Sequence, residues 1–249
     1  MIQFGIVMPT YRADHATRKR LRETIGTIKR QDYPHWKLYL IGDRYEPAEE
    51  LESLIAEVPH DKLVIFNLPR AVERETLKGW ELWHCGGATA NNIGLTMQER
   101  DGIRYTCHLD HDDLWHTNHL STLALAYRRF PRAGFIYTRA EYRGTNTPFL
   151  LPREATPAGY DNLPPRTVNI VHATVSWRLD LIPLRYRISR DQPADAVMWH
   201  QIREWCQLKG LPMVYIPTVT VIKQSQTADV KVQQWRAEAQ AQGIYQPPK

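Results

Sequence analysis

The chain has 249 residues, enough for one large domain or two small ones. Its composition is 43% hydrophobic, 24% charged and 10% aromatic, which excludes wholesale disorder and a fibrous repeat. The formal net charge is +5, with one dense basic cluster at Arg12, Arg18, Lys19, Arg20 and Arg22 that reads as a solvated helix face; no nucleic-acid-binding signature accompanies it, so no nucleic acid partner is expected.

Taken in chain order, Phe4–Met8 is a continuous apolar run that predicts a buried strand ending at Pro9-Thr10, not a cleavable leader. Leu21, Ile25 and Ile28 recur at helical spacing, and Asp14 is placed to cap that helix. Trp36–Ile41 predicts a second strand ended by Gly42-Asp43. Pro47 predicts the first turn of a helix with Leu51, Leu54, Ile55 and Val58 on one face. Leu63–Phe66 reads as a strand, Ala88–Gln98 as a helix, and Tyr105–Leu109 as a strand running into Asp110-His111-Asp112-Asp113. A helix with Leu120, Leu123 and Tyr127 on one side follows, then a strand at Phe135–Thr138. Residues 144–170 are proline-rich and predict a long irregular connection, with a hairpin near Tyr142–Leu150. A helix over Ala194–Leu208, two short strands at Met213–Ile216 and Thr218–Ile222, and a polar helix from Asp229 toward Gly243 complete the pattern.

Strand–helix alternation of this kind builds an α/β fold, a mostly parallel sheet with helices on both faces. Ligands bind such sheets beyond the carboxyl ends of the strands. Thr10-Tyr11, Asp43 and Asp110–Asp113 all follow strands and are therefore expected on one edge. No apolar run approaches the ~18 residues of a membrane helix. The three cysteines, Cys85, Cys107 and Cys206, form no CxxC pair, so neither a disulfide framework nor a structural zinc is expected. A reducing, cytoplasmic setting fits, with peripheral attachment to an anionic membrane as its variant.

The densest chemical signal is Asp110-His111-Asp112-Asp113. Three carboxylates this close repel one another unless a cation neutralises them, and such a set can hold Mg²⁺ or Mn²⁺ that in turn grips phosphate oxygens. The plainer reading is a solvated acidic turn capping the next helix. Histidines 108, 111, 116 and 119 raise a third reading, a zinc hydrolase, but match no zinc-hydrolase spacing.

Several segments in order resemble family 2 glycosyltransferases of the GT-A fold. Ile6-Val-Met-Pro-Thr-Tyr11 resembles that family's opening strand, and Gln31-Asp32-Tyr33-Pro34 followed by Trp36 resembles its link to the second strand. Ala90-Asn91-Asn92-Ile93-Gly94 resembles A-R-N-x-G, with Asn91 replacing Arg. Leu109-Asp-His-Asp-Asp-Leu-Trp115 resembles L-D-x-D-D-x-W. His172-Ala-Thr-Val-Ser-Trp-Arg178 and Ala194-Asp195 resemble segments of the acceptor half, Ala194 standing where the family has Glu.

The resemblance implies a single GT-A domain, with residues 1–140 binding the nucleotide sugar, 141–225 facing the acceptor, and 226–249 forming a C-terminal tail. It implies a nucleotide-diphosphate sugar donor, UDP-sugar favoured, a glycan or other hydroxyl acceptor, Mn²⁺ or Mg²⁺, and inversion at the anomeric carbon. On this resemblance Asp112 and Asp110 hold the metal. Asp113 caps the following helix or ligates through water. Pro9, Thr10, Tyr11, Arg12, Asp43, Asn92, Asp110 and His111 contact the donor. Asp195 is the general base, with Asp191 as its competitor, and His172 and Lys223 are secondary candidates for diphosphate contacts. A nucleotide-sugar-binding protein without turnover is the alternative that the Ala194 substitution keeps open.

Overall fold

The computed structural model describes residues 1–11, 15–143, 170–189 and 192–224. Asp14, the hairpin expected over Tyr142–Leu150 beyond residue 143, the long connection to residue 169 and the helix from Asp229 lie outside these described residues.

Eight strands form one sheet. They are β1 (Phe4–Tyr11), β2 (Trp36–Asp43), β3 (Leu63–Asn67), β4 (Tyr105–His108), β5 (Leu114–Trp115), β6 (Phe135–Arg143), β7 (Val175–Arg178) and β8 (Met213–Gln224), in the spatial order β3-β2-β1-β4-β7-β6-β8-β5. Neighbours β3–β2, β2–β1, β1–β4 and β6–β8 are parallel. β7 runs antiparallel to both β4 and β6, and β5 antiparallel to β8. The expected mostly parallel α/β sheet is present.

The central strands are continuous apolar runs because both faces are covered. Phe4, Ile6 and Met8 point into a core with Leu21, Ile25 and Ile28 of helix α1 (His15–Lys29). The same core takes Leu120 and Leu123 of helix α6 (His119–Arg129). Val7 points the other way, toward Leu95 of helix α5 (Ala88–Arg100) and toward Met198 and Trp199 of helix α7 (Ala194–Lys209). Gln31, from the link after α1, donates to the His116 carbonyl at 2.8 Å and accepts from the Leu120 N–H at 2.9 Å. That link therefore tethers α1 to the segment leaving the acidic turn.

Four elements differ from the sequence expectation. The helix after Pro47 is one short turn, α2 (Glu49–Ser53), although Leu51, Leu54, Ile55 and Val58 are all buried as predicted. Helices α3 (Val72–Thr76) and α4 (Gly79–Cys85) have too few residues for a 3.6-residue period to register. The two short strands expected on either side of Pro217 are one strand, β8. Its pairing with β6 shifts register between Tyr137 and Ala140, opposite the proline. Proline has no N–H for the ladder, and a bulge absorbs that loss without ending the strand. The far end of β8 then reaches β5, pairing Leu114 with Ile222 and Trp115 with Val221.

Among the described residues, no helix is long and apolar enough to cross a membrane. The three cysteines are buried thiols.

Gly94 explains one of the sequence motifs. A Cβ placed there would lie 2.6 Å from Val7 Cγ1, so α5 rests directly on β1. Val7 is β-branched and fully buried, with little rotamer freedom to yield. Gly94→Ala is expected to destabilise the fold by about 1–3 kcal/mol, read by denaturant melts. An unchanged midpoint would show that the helix has room to retreat.

Candidate active site

The acidic turn hangs from β4. Leu109 is fully buried and its N–H bonds to the Val7 carbonyl at 3.0 Å, so the chain leaves the sheet at Asp110. Thr24 of α1 donates to the carbonyls of His111 (3.1 Å) and Asp113 (2.9 Å), and the Asp113 N–H closes the turn on the Asp110 carbonyl at 3.2 Å. Asp110, Asp112 and Asp113 each bring a carboxylate oxygen within 4.8 Å of the others.

Two basic side chains from distant segments meet these acids. His172 Nδ1 lies 2.9 Å from Asp110 Oδ1, and its Nε2 lies 2.8 Å from the Tyr186 hydroxyl. Lys223 Nζ lies 3.0 Å from Asp113 Oδ2 and 3.6 Å from Asp110 Oδ2. Trp115 Nε1 donates to the Ala173 carbonyl at 2.9 Å, which seats His172 beside the turn. Asn92 grips Tyr186 by its backbone, donating to the carbonyl at 2.9 Å and accepting from the N–H at 2.8 Å. Both amide atoms of Asn92, expected on the donor, thus hold the Tyr186 segment in place.

Burial would raise the Asp110 carboxyl, but the His172 and Lys223 charges outweigh it and hold Asp110 well below the ordinary range. Asp113 goes the other way. Burial, reinforced by Asp112 and Asp110, pushes it up to about 8 against the pull of Lys223. Its Oδ1 is buried with no hydrogen-bond partner. An all-oxygen set with one orphaned carboxylate oxygen fits a hard divalent cation such as Mg²⁺ or Mn²⁺. The expectation that Asp113 caps the next helix is corrected: α6 begins at His119, preceded by Asn118, and the Asp113 carboxylate faces Lys223.

A second group of predicted residues lies on the same edge. β1 and β2 are in register with Thr10 opposite Gly42 and Tyr11 opposite Asp43. Thr10 Oγ1 is 2.9 Å from the Tyr45 hydroxyl. Tyr11 is 41% exposed, its ring edge-on to His111 at 5.1 Å. This contact joins β1 to the acidic turn. Pro9 is half-buried next to Gly87. Asp43 is only 9% exposed; burial lifts its carboxyl, opposed by Arg74, whose Nε donates to Asp43 Oδ2 at 2.7 Å. The Arg74 guanidinium also lies 5.4 Å from the centre of the Tyr11 ring. Asp43 Oδ1 is buried without a partner. Arg74 was not singled out from the sequence; its one signal is a place shortly after β3, on the ligand-binding edge of the sheet.

Asp195 sits in the first turn of α7, its Oδ1 accepting from the Ala196 N–H at 2.7 Å. Burial raises its pKa against the charge of His172, and Asp110 and Lys223 are also within electrostatic reach. Asp195 is therefore within electrostatic reach of His172, Asp110 and Lys223. Arg12 and Asp191 lie outside the described residues.

The histidines do not assemble a zinc site. His108 is buried, stacked on Trp177 at 4.6 Å, with Nδ1 3.1 Å from Asn91 Oδ1. His119 is buried, stacked on Trp115 at 4.2 Å, with Nδ1 2.7 Å from Thr220 Oγ1. Among the described residues, the metal-ligating group contains carboxylates alone. The imidazole ligand set that the zinc hydrolase reading needs is therefore not gathered among the described residues.

No family model matches the chain. It is 35% identical over 229 residues to R139 of Acanthamoeba polyphaga mimivirus, described as an uncharacterized glycosyltransferase; the match covers 88% of this chain and 92% of the viral protein. Among solved structures it is similar to Staphylococcus aureus TarS 1–349 in complex with UDP-GlcNAc, at a TM-score of 0.63 and 13% identity. It is also similar to the mannosyltransferase PcManGT of Pyrobaculum calidifontis in complex with GDP-Man and Mn²⁺, at a TM-score of 0.61 and 14% identity. These matches cover 90% and 99% of this chain but 59% and 65% of those chains, and they establish a shared GT-A-like fold.

The His172–Asp110 pair gives the free protein a pH signature. The His172 pKa is raised from 6.5, since the charge and hydrogen bond of Asp110 outweigh burial. Its contribution to stability is therefore full below the unfolded value and lost as pH rises through the folded one. In chelating buffer, the excess melting temperature of the wild type over His172→Gln is expected to be largest near pH 6 and to shrink toward pH 9. A gap that stays constant across that range would mean that folding leaves the His172 pKa unshifted.

Proposed function

The chain belongs to the glycosyltransferases, and we propose that it moves a glycosyl group from a nucleotide-diphosphate donor, a UDP-sugar by preference, to an acceptor hydroxyl with inversion. We place it within family 2, on the order of its motifs from Ile6 to Trp115. We assign residues 1–140 to the donor, 141–225 to the acceptor, with 226–249 as a tail, and the buried thiols suit a reducing, cytoplasmic setting.

The observation that carries this reading is the convergence of Asp43, Tyr11 and Asp110–Asp113 on one strand-end edge, with Asp195 in electrostatic reach of Asp110. The sugar nucleotides in the two solved neighbours, UDP-GlcNAc and GDP-Man, support the donor class. The preference for uracil follows from Asp43. One carboxylate oxygen is committed to Arg74, which leaves the orphaned Oδ1 as the free acceptor. Uracil offers one ring N–H flanked by two carbonyls, a match for one acceptor beside a guanidinium. Guanine offers two adjacent donors, which a carboxylate receives best with both oxygens free. Tyr11, edge-on to His111, offers its ring to the base.

Mn²⁺ or Mg²⁺ held by Asp110 and Asp112, with Asp113 completing the set, would neutralise charge developing on the diphosphate. The chain's own groups do the rest. The acceptor oxygen attacks the anomeric carbon as the bond from that carbon to the diphosphate oxygen breaks, and the hydroxyl proton passes to Asp195. Burial raises the Asp195 pKa, making it a stronger base. His172, hydrogen-bonded to Asp110 Oδ1, fixes the orientation of that carboxylate.

Turnover of UDP-sugars, followed by UDP release, tests this directly. Asp195→Asn keeps shape and removes basicity, so kcat is expected to fall by roughly 10²–10⁴-fold with donor affinity little changed. Asp112→Ala is expected to abolish Mn²⁺-dependent binding of UDP. Binding that persists in EDTA and in Asp112→Ala would remove the metal. A fully active Asp195→Asn would move the base elsewhere, and wild-type binding without UDP release would leave a sugar-nucleotide-binding protein.

A further inference from the structure

Lys223 stands near the end of β8, where the pairing of Ile222 with Leu114 holds its backbone one step from the acidic turn. Its ammonium lies inside the carboxylate group, 3.0 Å from Asp113 Oδ2 and 3.6 Å from Asp110 Oδ2. Asp113 is wholly buried and Asp110 is 27% exposed, so solvent screens these contacts weakly. A divalent ion taken by the same acids would share Asp110 and Asp113 with this ammonium. Two cations at that spacing repel, so one must give way. The side chain of Lys223 is 32% exposed and flexible, and it can swing without disturbing the strand. Asp113 Oδ1, buried and unpartnered, shows that Lys223 leaves part of the cluster's ligand capacity unused.

We propose that Lys223 is a tethered counter-ion: it guards the empty carboxylate cluster against a bare divalent ion and transfers to the donor's diphosphate when the ion arrives with its nucleotide. This rests on the reading that the cluster takes a metal–nucleoside diphosphate. The diphosphate supplies anionic oxygens that replace the carboxylates as partners of the ammonium. Ion and nucleotide then assist one another, because each makes it easier for Lys223 to leave the cluster. The site fills as a unit, and the free enzyme spends little time holding metal alone. Lys223 acts here as a positioning residue.

Titration of Mn²⁺ into nucleotide-free protein, followed by the loss of the free-ion EPR signal, tests the proposal alongside calorimetric UDP binding at saturating Mn²⁺. Lys223→Met is expected to raise Mn²⁺ affinity without nucleotide and to lower UDP affinity, each within the roughly 5–150-fold range of site-to-site couplings. Lys223→Arg keeps the charge and is expected to keep the weak nucleotide-free metal affinity. A purely structural lysine would move both affinities downward together with the melting temperature. The proposal is overturned if Lys223→Met leaves nucleotide-free Mn²⁺ affinity unchanged or lower, or leaves UDP affinity unchanged. Wild-type protein that binds neither Mn²⁺ nor UDP would sink the metal–nucleotide reading itself. Wild-type binding of both, with a flat response in Lys223→Met, would remove the counter-ion role alone.

Discussion

Mutual repulsion among Asp110, Asp112 and Asp113 is the constraint around which the rest of the molecule is arranged. Three carboxylates in four residues, one of them wholly buried, cannot all stay ionised without imported positive charge. The chain imports it from two places far away in sequence, His172 and Lys223. Each delivery sets a requirement on the fold. His172 is held through Trp115 and Ala173 and backed by Tyr186, which Asn92 grips from α5. Lys223 arrives because β8 continues past Pro217 through a register shift and pairs with β5. The proposed donor, arriving with its cation, needs this charge balance to be adjustable, since both would enter and their products depart in each cycle.

The edge proposed to hold the nucleotide is built differently. Asp43 is held in place by one strong partner, Arg74, and keeps one oxygen open. The parallel register of β1 with β2 puts Tyr11 opposite Asp43, and the His111 ring against Tyr11 links this edge to the acidic turn. A shift of β1 by one residue would turn both Thr10 and Tyr11 to the wrong faces. The core on both sides of β1 therefore fixes the register on which the site depends.

Much of this was legible in the sequence because it follows local rules. Phe4–Met8 and Trp36–Ile41 are apolar on both faces, and the acidic turn follows a buried strand, so strand-end convergence could be argued from topology alone. What was not legible depends on contacts without a period. Helix α3 is five residues long, too short to show a face, and so Arg74 went unnoticed. Tyr186 sits in irregular chain, and its importance shows in its contacts with Asn92 and His172. Pro217 looked like a break between strands, while the structure absorbs it in a register shift. Asp113 looked like a helix cap by proximity in sequence, and its partner proved to be 110 residues away. Asn92 belonged to a motif that the resemblance ties to the donor; both its amide atoms hold the Tyr186 backbone.

The central claim is that one edge of the sheet holds nucleotide and ion together. Anomalous scattering at the manganese edge from crystals grown with UDP and Mn²⁺ tests it most directly. The predicted result is a single manganese peak coordinated by Asp112 and Asp110, with the uracil against Tyr11 and its ring N–H on Asp43 Oδ1. A manganese peak away from the acidic turn, or UDP bound without contact to Asp43, would contradict it.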